Sequence, residues 1–192
     1  MTWLTEEGEG FTVEASGNHV YFYAAVNTDR ALALIQKVSE IDRDLVAERA
    51  LRDLPHDFPH VPIWLHMNSG GGGIFAAFGL IDRLNTIKSP IYTIAEGFAA
   101  SAASLLWLAG KRRYITPNAL VCIHQLSTGF WGTYEQMKDD IVANDLLMER
   151  ITSFYVSHSN LRRGQVQKML QRDTWLTPQQ CLEFGLAHEI LK

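Results

Sequence analysis

The stretch Val61-Pro62-Ile63-Trp64-Leu65-His66-Met67-Asn68-Ser69-Gly70-Gly71-Gly72-Gly73-Ile74 decides the fold. Residues 61–67 form an apolar run that predicts a buried strand, and Pro62 lies near its start, where a missing N–H does least harm. The four glycines at 70–73 predict a tight turn, and the apolar positions of 74–87 suit a helix. Strand, glycine turn and helix form the first half of a βαβ unit.

The same pattern follows once more along the chain. Ser89-Pro90 leads into a predicted strand at 91–95, and Gly97 precedes an Ala- and Ser-rich helix that continues to Ala109. Residues 91–110 hold the single charge Glu96, so they resemble a membrane span. That segment is barely long enough to cross a bilayer, and its middle is Ala, Ser and Gly, so we interpret it as a buried strand and helix and expect no membrane association.

The flanking sequence extends this α/β pattern in both directions. Alternation predicts strands within 11–26, and 31–41 has helical periodicity after caps at 27–29, with a helical extension and a proline-marked loop over 42–60. Later predicted elements are short strands at 114–115 and 120–123, a long helix over 134–155, a helix starting at 176–178, which Gly185 ends, and a strand at 187–191. The predicted fold is α/β, with a mostly parallel sheet or a stacked βαβ spiral.

Composition excludes several classes of function. The 192 residues predict one domain over 1–192, and 47% hydrophobic with 20% charged residues is typical of a soluble globular protein. A net charge of −4 argues against nucleic acid as a partner. The acidic start, MTWLTEEGEG, is unlike a secretory signal, so a cytoplasmic location is expected. Cys122 and Cys181 belong to no zinc-binding cluster, and no metal is expected.

The glycine turn at 70–73 can carry chemistry of its own. It leaves N–H groups at the start of a helix, which favours negative charge. The Lys-Ser or Lys-Thr of a P-loop and the spaced glycines of a dinucleotide fold do not occur here, so this chain is expected to bind no ATP and no other cofactor. Two interpretations remain open at this point, a plain strand-to-helix turn and an oxyanion hole.

Gly97-Phe98-Ala99-Ala100-Ser101-Ala102-Ala103-Ser104 places Ser101 at a second strand-to-helix junction. The neighbouring residues are too small to block its hydroxyl, and a helix start stabilises developing negative charge, as an attacking serine requires. The alternative is that small residues only allow close helix packing. Ser104, one helical turn on, is a rival nucleophile that periodicity does not exclude.

A nucleophilic serine needs a base, and the chain has seven histidines. His124 differs from the others because it ends the predicted strand 120–123, and strand ends in α/β folds point into the crevice where ligands bind. The acid that would orient the imidazole cannot be identified among the aspartates and glutamates by periodicity.

Four segments together resemble the Clp protease proteolytic subunit, a serine peptidase that works beside AAA+ unfoldases. Residues 67–72 are similar to the family's I-N-S-P-G-G turn, and 97–101 to its G-x-A-A-S segment. Residues 117–118 with 122–125 are similar to its P-N and M-I-H-Q segment. Residues 173–177 with 183–186 are similar to its D-x-x-[LM]-[ST] element and E-x-G-L tail. The segments follow the family's order and cover about residues 18 to 191.

The resemblance implies a role for particular residues. Ser101 would be the nucleophile, His124 the general base and acid, and Asp173 the group that orients the histidine. The N–H groups of Gly72 and Ala102 would form the oxyanion hole. The order Ser, His, Asp along the chain differs from the orders in chymotrypsin, subtilisin and the α/β-hydrolases. This is acceptable because a triad is defined by geometry and not by sequence.

The resemblance also implies where a peptide substrate lies. Gly70, Gly71 and Gln125 would line the strip against which substrate pairs as an added strand. Gly70 stands where the family has proline, and Ala102 replaces its usual methionine. The segment before Val61 is about a dozen residues longer than usual in the family, and residues 1–17 form a variable terminus without its recognisable axial gate.

The implied protein is an oligomeric peptidase. The helix within 132–158 would be the family's handle, by which two heptameric rings of this chain stack, and a separate AAA+ ATPase would deliver unfolded protein. Three alternatives stay open: a specialised protease of the phage head-maturation type, a non-catalytic ring subunit, and a crotonase-type acyl-CoA enzyme on the same Clp/crotonase spiral.

Overall fold

A computed structural model describes residues 13–55 and 57–191. Within them lie eight strands: β1 Glu14–Ser16, β2 His19–Phe22, β3 Ile63–Ser69, β4 Ile91–Ala100, β5 Arg112–Ile115, β6 Leu120–Ile123, β7 Thr174–Leu176 and β8 Glu189–Ile190. The helices of the same residues are α1 Thr28–Leu51, α2 Ile74–Leu84, α3 Ala102–Leu108, α4 Tyr134–Ser157, α5 Arg163–Leu170 and α6 Pro178–Glu183. The first residues of the predicted N-terminal strands, at 11–12, and most of the expected variable terminus lie outside the described residues.

The sheet is mostly parallel, as predicted. Its main path runs β1-β2-β3-β4-β5-β8, and every pair from β2 to β8 is parallel, whereas β1 is antiparallel to β2. The last residues of β4 turn away from β5 and pair with β6, which in turn pairs with the antiparallel β7. This change of partner along β4 places the sheet in two connected parts, as a βαβ spiral requires.

Strand β4 is longer than the sequence pattern predicts. Gly97 does not end the strand; the strand continues to Ala100, with a shift of register opposite Met67 and Ser69. Gly97 has φ +68°, and a Cβ there would lie 2.9 Å from Asn68 Oδ1. The glycine therefore allows an irregularity inside a strand, which sequence alone does not distinguish from a strand end.

The core lies between the sheet and the helices α1, α2 and α3. Burial alternates along β3, so Ile63, Leu65 and Met67 point into the core while the residues between them are half-buried. Trp107 on α3 is fully buried, and its indole N–H donates to the Tyr114 carbonyl at 2.9 Å. The segment 91–110, which resembles a membrane span in sequence, thus forms strand β4 and helix α3, and both pack in the core. No helix of residues 13–55 and 57–191 is long and apolar enough to cross a membrane.

Helix α1 extends beyond its predicted periodic part into the segment before β3. Asn27 caps it by accepting from the Arg30 N–H at 2.9 Å, and the helix continues to Leu51. Arg49 then donates to the carbonyls of Pro55 and Phe58, which holds the following loop against the helix. The prediction of a helical extension ended by a proline-marked loop is confirmed.

Helix α4 is only partly buried within the chain. Thr133 and Gln136 form a capping box at its start, and its buried residues, Ile151, Thr152 and Tyr155, all lie in the last two turns. The apolar residues Tyr134, Met137 and Ile141 near its start are exposed. The first turns of α4 therefore do not face the core of their own chain.

Two elements were missed by the sequence pattern. Helix α5 is short and polar, with only Val166 and Leu170 buried, so it has little apolar periodicity to detect. Strand β7 has three residues, and its pairing with β6 is what makes it a strand. Both follow α4 and bring the segment before Thr174 back to the end of β6.

Candidate active site

The ends of three strands meet at one edge of the sheet. Ser69 pairs with Ala99, and Ala100 with Cys122, so the glycine turn, Ser101 and His124 leave the sheet side by side. A cleft of about 510 Å³ opens there, lined by Gly72, Ser101, Ala102, His124 and Gln125 among others, and closed on one side by α4.

Ser101 has an unusual backbone conformation. Its φ is +55° and its ψ is −130°, a combination that side-chain-bearing residues adopt only where the surrounding structure holds them. The Ser101 N–H donates to the Cys122 carbonyl at 3.0 Å, which ties the turn to the end of β6. Ser101 is half-buried and lines the cleft. A sharp turn from strand to helix of this kind presents the side chain at its tip to a ligand.

The glycine turn requires glycine at two positions. Gly71 has φ +91°, and a Cβ there would lie 2.6 Å from both the Ala100 carbonyl oxygen and Ser101 Cβ. Gly72 has φ +144°, and its Cβ would lie 2.2 Å from the Val26 oxygen. The turn passes so close to Ser101 and to the loop after β2 that any side chain would displace them.

Backbone hydrogen bonds hold this turn and leave two amides free. Val26 N–H donates to the Gly71 oxygen and Gly73 N–H to the Val26 oxygen, both at 2.8 Å. Neither the Gly72 N–H nor the Ala102 N–H has a backbone acceptor within residues 13–55 and 57–191. Both residues line the cleft, so two amide donors are available to a ligand oxygen there.

Ser69 fixes the entry to the turn, a role that the sequence analysis missed. Its buried hydroxyl donates to the Ala24 carbonyl at 2.5 Å and accepts from the Gly71 N–H at 3.2 Å. A serine before a glycine run carries no pattern that separates this structural role from a plain turn residue.

The residues expected to bind a substrate strand are not equivalent. Gly70 and Gln125 are exposed beside the cleft. Gly71 is buried, and both its N–H and its carbonyl already have partners within the chain, in Ser69 and Val26. Of the three, Gly70 and Gln125 are the ones accessible to an added peptide strand.

His124 is half-buried at the end of β6. Its Nδ1 lies 2.6 Å from the Gln125 carbonyl oxygen, which only accepts, so Nδ1 is the donor in this contact. In the neutral ring Nε2 then keeps its lone pair, the state that a general base needs.

Asp173 lies next to His124 by strand register. Ile123 pairs with Thr174 in the antiparallel β6–β7 ladder, so the next pair outward is His124 with Asp173. Asp173 is exposed. Its charge adds to the effect of burial in raising the pKa of Cys122 to about 11, which places its carboxylate near the end of β6. Ser101 and His124 therefore share one cleft and strand register places Asp173 beside His124, although no hydrogen bond joins the three side chains in the described residues.

Ser104, the rival nucleophile, is fully buried and does not line the cleft. Its hydroxyl donates to the Ser101 carbonyl at 2.6 Å and lies 2.5 Å from the Tyr155 hydroxyl. A hydroxyl held in two hydrogen bonds away from His124 is poorly suited to attack a substrate. Tyr155 was not singled out by the sequence, because its position at the end of the long predicted helix gives no sign of its polar contact.

Other reactive groups are poorly placed for chemistry. Cys122 and Cys181 are buried, and burial raises the pKa of Cys181 to about 12, so both thiols stay protonated. Within the described part of the chain, no group of three or more His, Cys, Asp or Glu side chains is arranged to hold a metal ion.

Comparison with known proteins agrees with this architecture. The sequence profile of the family described as Clp protease matches residues 14–192. The chain is 38% identical over 137 residues to the ATP-dependent Clp protease proteolytic subunit 1 of Chlamydia muridarum, covering 69% of this chain and 71% of that protein. It is 37% identical to the protein of the same name from Chlamydia pneumoniae, covering 69% and 72%. With a matching profile over nearly its whole length and the corresponding α/β fold, this chain belongs to the Clp protease family.

Proposed function

We propose that the protein is a serine endopeptidase that hydrolyses peptide bonds with Ser101 as nucleophile, His124 as base and Asp173 as orienting acid. The observation that carries the proposal is the strained Ser101, held at positive φ in the same cleft as His124 and beside two unpaired amides. A turn of this kind is costly to maintain, and such strain clusters at functional sites. The family to which the chain belongs supports a peptidase.

The proposed reaction follows the chemistry of acyl transfer. His124 removes the hydroxyl proton of Ser101 as its oxygen attacks the peptide carbonyl, and the N–H groups of Gly72 and Ala102 stabilise the oxyanion that forms. The protonated His124 then gives its proton to the leaving amine, and an acyl-Ser101 ester remains. His124 then takes a proton from a water molecule whose oxygen attacks the ester, and it returns that proton to the Ser101 oxygen as the acyl group leaves as a carboxylic acid.

In the proposed mechanism, proton transfer requires the His124 side chain to change its orientation. His124 Nδ1 must leave the Gln125 carbonyl and donate to Asp173, its neighbour in the strand register. Neither His124 nor Asp173 is fully buried, so this rotation moves no core residue. In that orientation Asp173 would hold the tautomer that leaves Nε2 free to accept the serine proton.

We further propose that the active form is a ring-shaped homo-oligomer in the cytoplasm, formed by one peptidase domain per chain. Five apolar side chains in the first part of α4 are exposed: Tyr134, Met137, Ile141, Val142 and Leu146. They support association, because a soluble monomer rarely exposes so large an apolar surface on one helix. Stacked heptameric rings and an AAA+ partner that delivers unfolded protein follow from the family expectation. The relatives' names, which describe an ATP-dependent protease and its proteolytic subunit, support that partnership.

A second candidate is a non-catalytic ring subunit. The observation that favours it is the absence of hydrogen bonds among the Ser101, His124 and Asp173 side chains in the described residues. Such a subunit would assemble like the peptidase without reacting with substrate.

Intact-protein mass after treatment with a fluorophosphonate separates the two. The reagent modifies serines that a neighbouring base activates, so one adduct is expected on the assembled wild type and none on Ser101→Ala. A folded, assembled wild type without an adduct would contradict the peptidase and support the non-catalytic subunit.

A further inference from the structure

The inference concerns the buried hydroxyl groups of Tyr155 on α4, a residue that lines the cleft, and of Ser104 on α3, which does not. Tyr155 is 2% exposed and Ser104 is 0% exposed. Their oxygens are 2.5 Å apart, and Ser104 Oγ is 2.6 Å from the Ser101 carbonyl oxygen. Neither residue lies among the groups assigned to the proposed reaction.

The direction of these hydrogen bonds follows from counting protons. The Ser101 carbonyl can only accept, so the single hydroxyl proton of Ser104 is used there. Ser104 Oγ must then accept from Tyr155, whose hydroxyl is the donor. Burial raises the pKa of the Tyr155 phenol above its ordinary value, so the donor proton is kept throughout the range in which proteases work.

The acceptor at the end of this chain is part of the proposed oxyanion hole. The Ser101 carbonyl and the Ala102 N–H belong to one planar peptide group, and accepting hydrogen bonds at the oxygen makes the N–H a stronger donor. The same oxygen also accepts from the Ser104 N–H at 3.0 Å. Two bonds from Ser104 therefore fix the plane of this peptide directly after the strained Ser101.

We propose that Tyr155 and Ser104 are positioning residues for the oxyanion hole: their directed hydrogen-bond chain orients and polarises the peptide group that carries the Ala102 N–H. This inference rests on the proposed function, in which that N–H stabilises the oxyanion. It gives α4, whose other end is exposed, a direct connection to the nucleophile turn.

The test is Tyr155→Phe in the assembled full-length protein, with Tyr114→Phe as the control. Tyr114 is also buried, but it lies on β5 and makes ring contacts with Trp64 and Tyr92 away from the cleft. Because Tyr155→Phe would weaken one oxyanion donor without removing it, we expect kcat to fall about tenfold with KM unchanged. Tyr114→Phe should keep the wild-type kcat.

A readout specific to the oxyanion separates this role from general damage to packing. A peptide boronate that forms a tetrahedral adduct with Ser101 should bind Tyr155→Phe about tenfold more weakly, matching the fall in kcat/KM. The pH–rate profile should keep its shape, because neither Tyr155 nor Ser104 forms a hydrogen bond with His124 among the described residues. A changed profile, or a boronate affinity that stays the same while kcat falls, would contradict the inference.

Ser104→Ala interrupts the same chain of hydrogen bonds and supplies a second test of the inference, which remains available if Tyr155→Phe does not assemble. It should lower kcat about tenfold, and adding Tyr155→Phe to it should cause no further loss, since the chain is already broken. Independent, additive losses would contradict the inference. Wild-type activity in both single variants would refute it while leaving the proposed function intact, whereas a wild type that neither cleaves peptides nor reacts at Ser101 would refute both.

Discussion

The two halves of the proposed active site are held in different ways. The half that would stabilise the oxyanion is held by backbone against the core: Gly71 packs against Ser101, and Ser104 is fully buried. The half that would move the proton lies at the surface, where His124 contacts the Gln125 carbonyl and Asp173 is exposed. One half depends on backbone in a packed core, and the other on side chains that solvent reaches.

This difference indicates which part of the site a single protomer builds by itself. A non-glycine residue at positive φ persists only when many contacts hold it, and the turn around Ser101 has those contacts within the chain. Exposed side chains are held by few contacts and change rotamer easily. In the proposed mechanism the oxyanion half is therefore preorganised, and the His124–Asp173 half would complete its arrangement by rotation.

The largest expected effect is that of Ser101→Ala. Removing the nucleophile should reduce peptide hydrolysis by about 10⁴-fold or more, because residual catalysis then comes only from binding and the oxyanion hole. Thermal unfolding should change little, since the backbone contacts of the turn remain. A Ser101→Ala protein that keeps full activity while Ser104→Ala loses it would move the nucleophile to the core residue.

The proton-transfer half should respond strongly at His124 and less at Asp173. His124→Ala should cost about 10⁴-fold in kcat, and Asp173→Asn about 10²-fold, because the loosely held acid contributes orientation and not the proton acceptor itself. Asp139→Asn, an exposed aspartate on α4, is the matched control. Unchanged kcat in Asp173→Asn would assign the orienting role elsewhere, and a pH–rate profile without an ionisation near neutrality would count against a histidine base.

The preorganised half is tested by Gly71→Ala against Gly73→Ala. A Cβ at Gly71 would lie 2.6 Å from Ser101 Cβ, whereas one at Gly73 would meet only ordinary contacts at 3.6 and 3.7 Å. Gly71→Ala should lower the free energy of unfolding by about 2–4 kcal/mol and kcat by about 10²-fold, because positive φ and the clash act together. Gly73→Ala should resemble the wild type in urea denaturation and peptide cleavage. Equal behaviour of the two variants would show that the turn is not strained.

The smallest effect concerns a site remote from both halves. His188 Nδ1 accepts from the Arg113 N–H at 2.9 Å, and burial, followed by the charges of Arg113 and Arg112, lowers the pKa of this histidine. The unfolded chain then binds a proton more readily than the folded one, so stability is lost as pH falls below about 6.5. His188→Asn should make the fall in Tm between about pH 7 and 5 shallower, with kcat at neutral pH unchanged. A slope identical to that of the wild type would remove His188 from the acid response.

Local features of the site were predictable because they depend on few residues. Four consecutive glycines after an apolar run favour a tight turn, and small residues around Ser101 indicate a junction with an accessible hydroxyl. His124 was found by its place at the end of a strand. Asp173 was identified only through family resemblance, because its nearness to His124 is produced by the β6–β7 pairing over a long sequence separation.

The sequence by itself determined the α/β class, the order of the strand–turn–helix units and two candidate nucleophiles, Ser101 and Ser104, since each follows from short-range periodicity or backbone restriction. Only the tertiary structure decided that β4 continues past Gly97, that Ser104 is buried, and that Tyr155 bonds to it from another helix. These depend on contacts between segments far apart in the chain, and local sequence carries no periodic signal for such contacts.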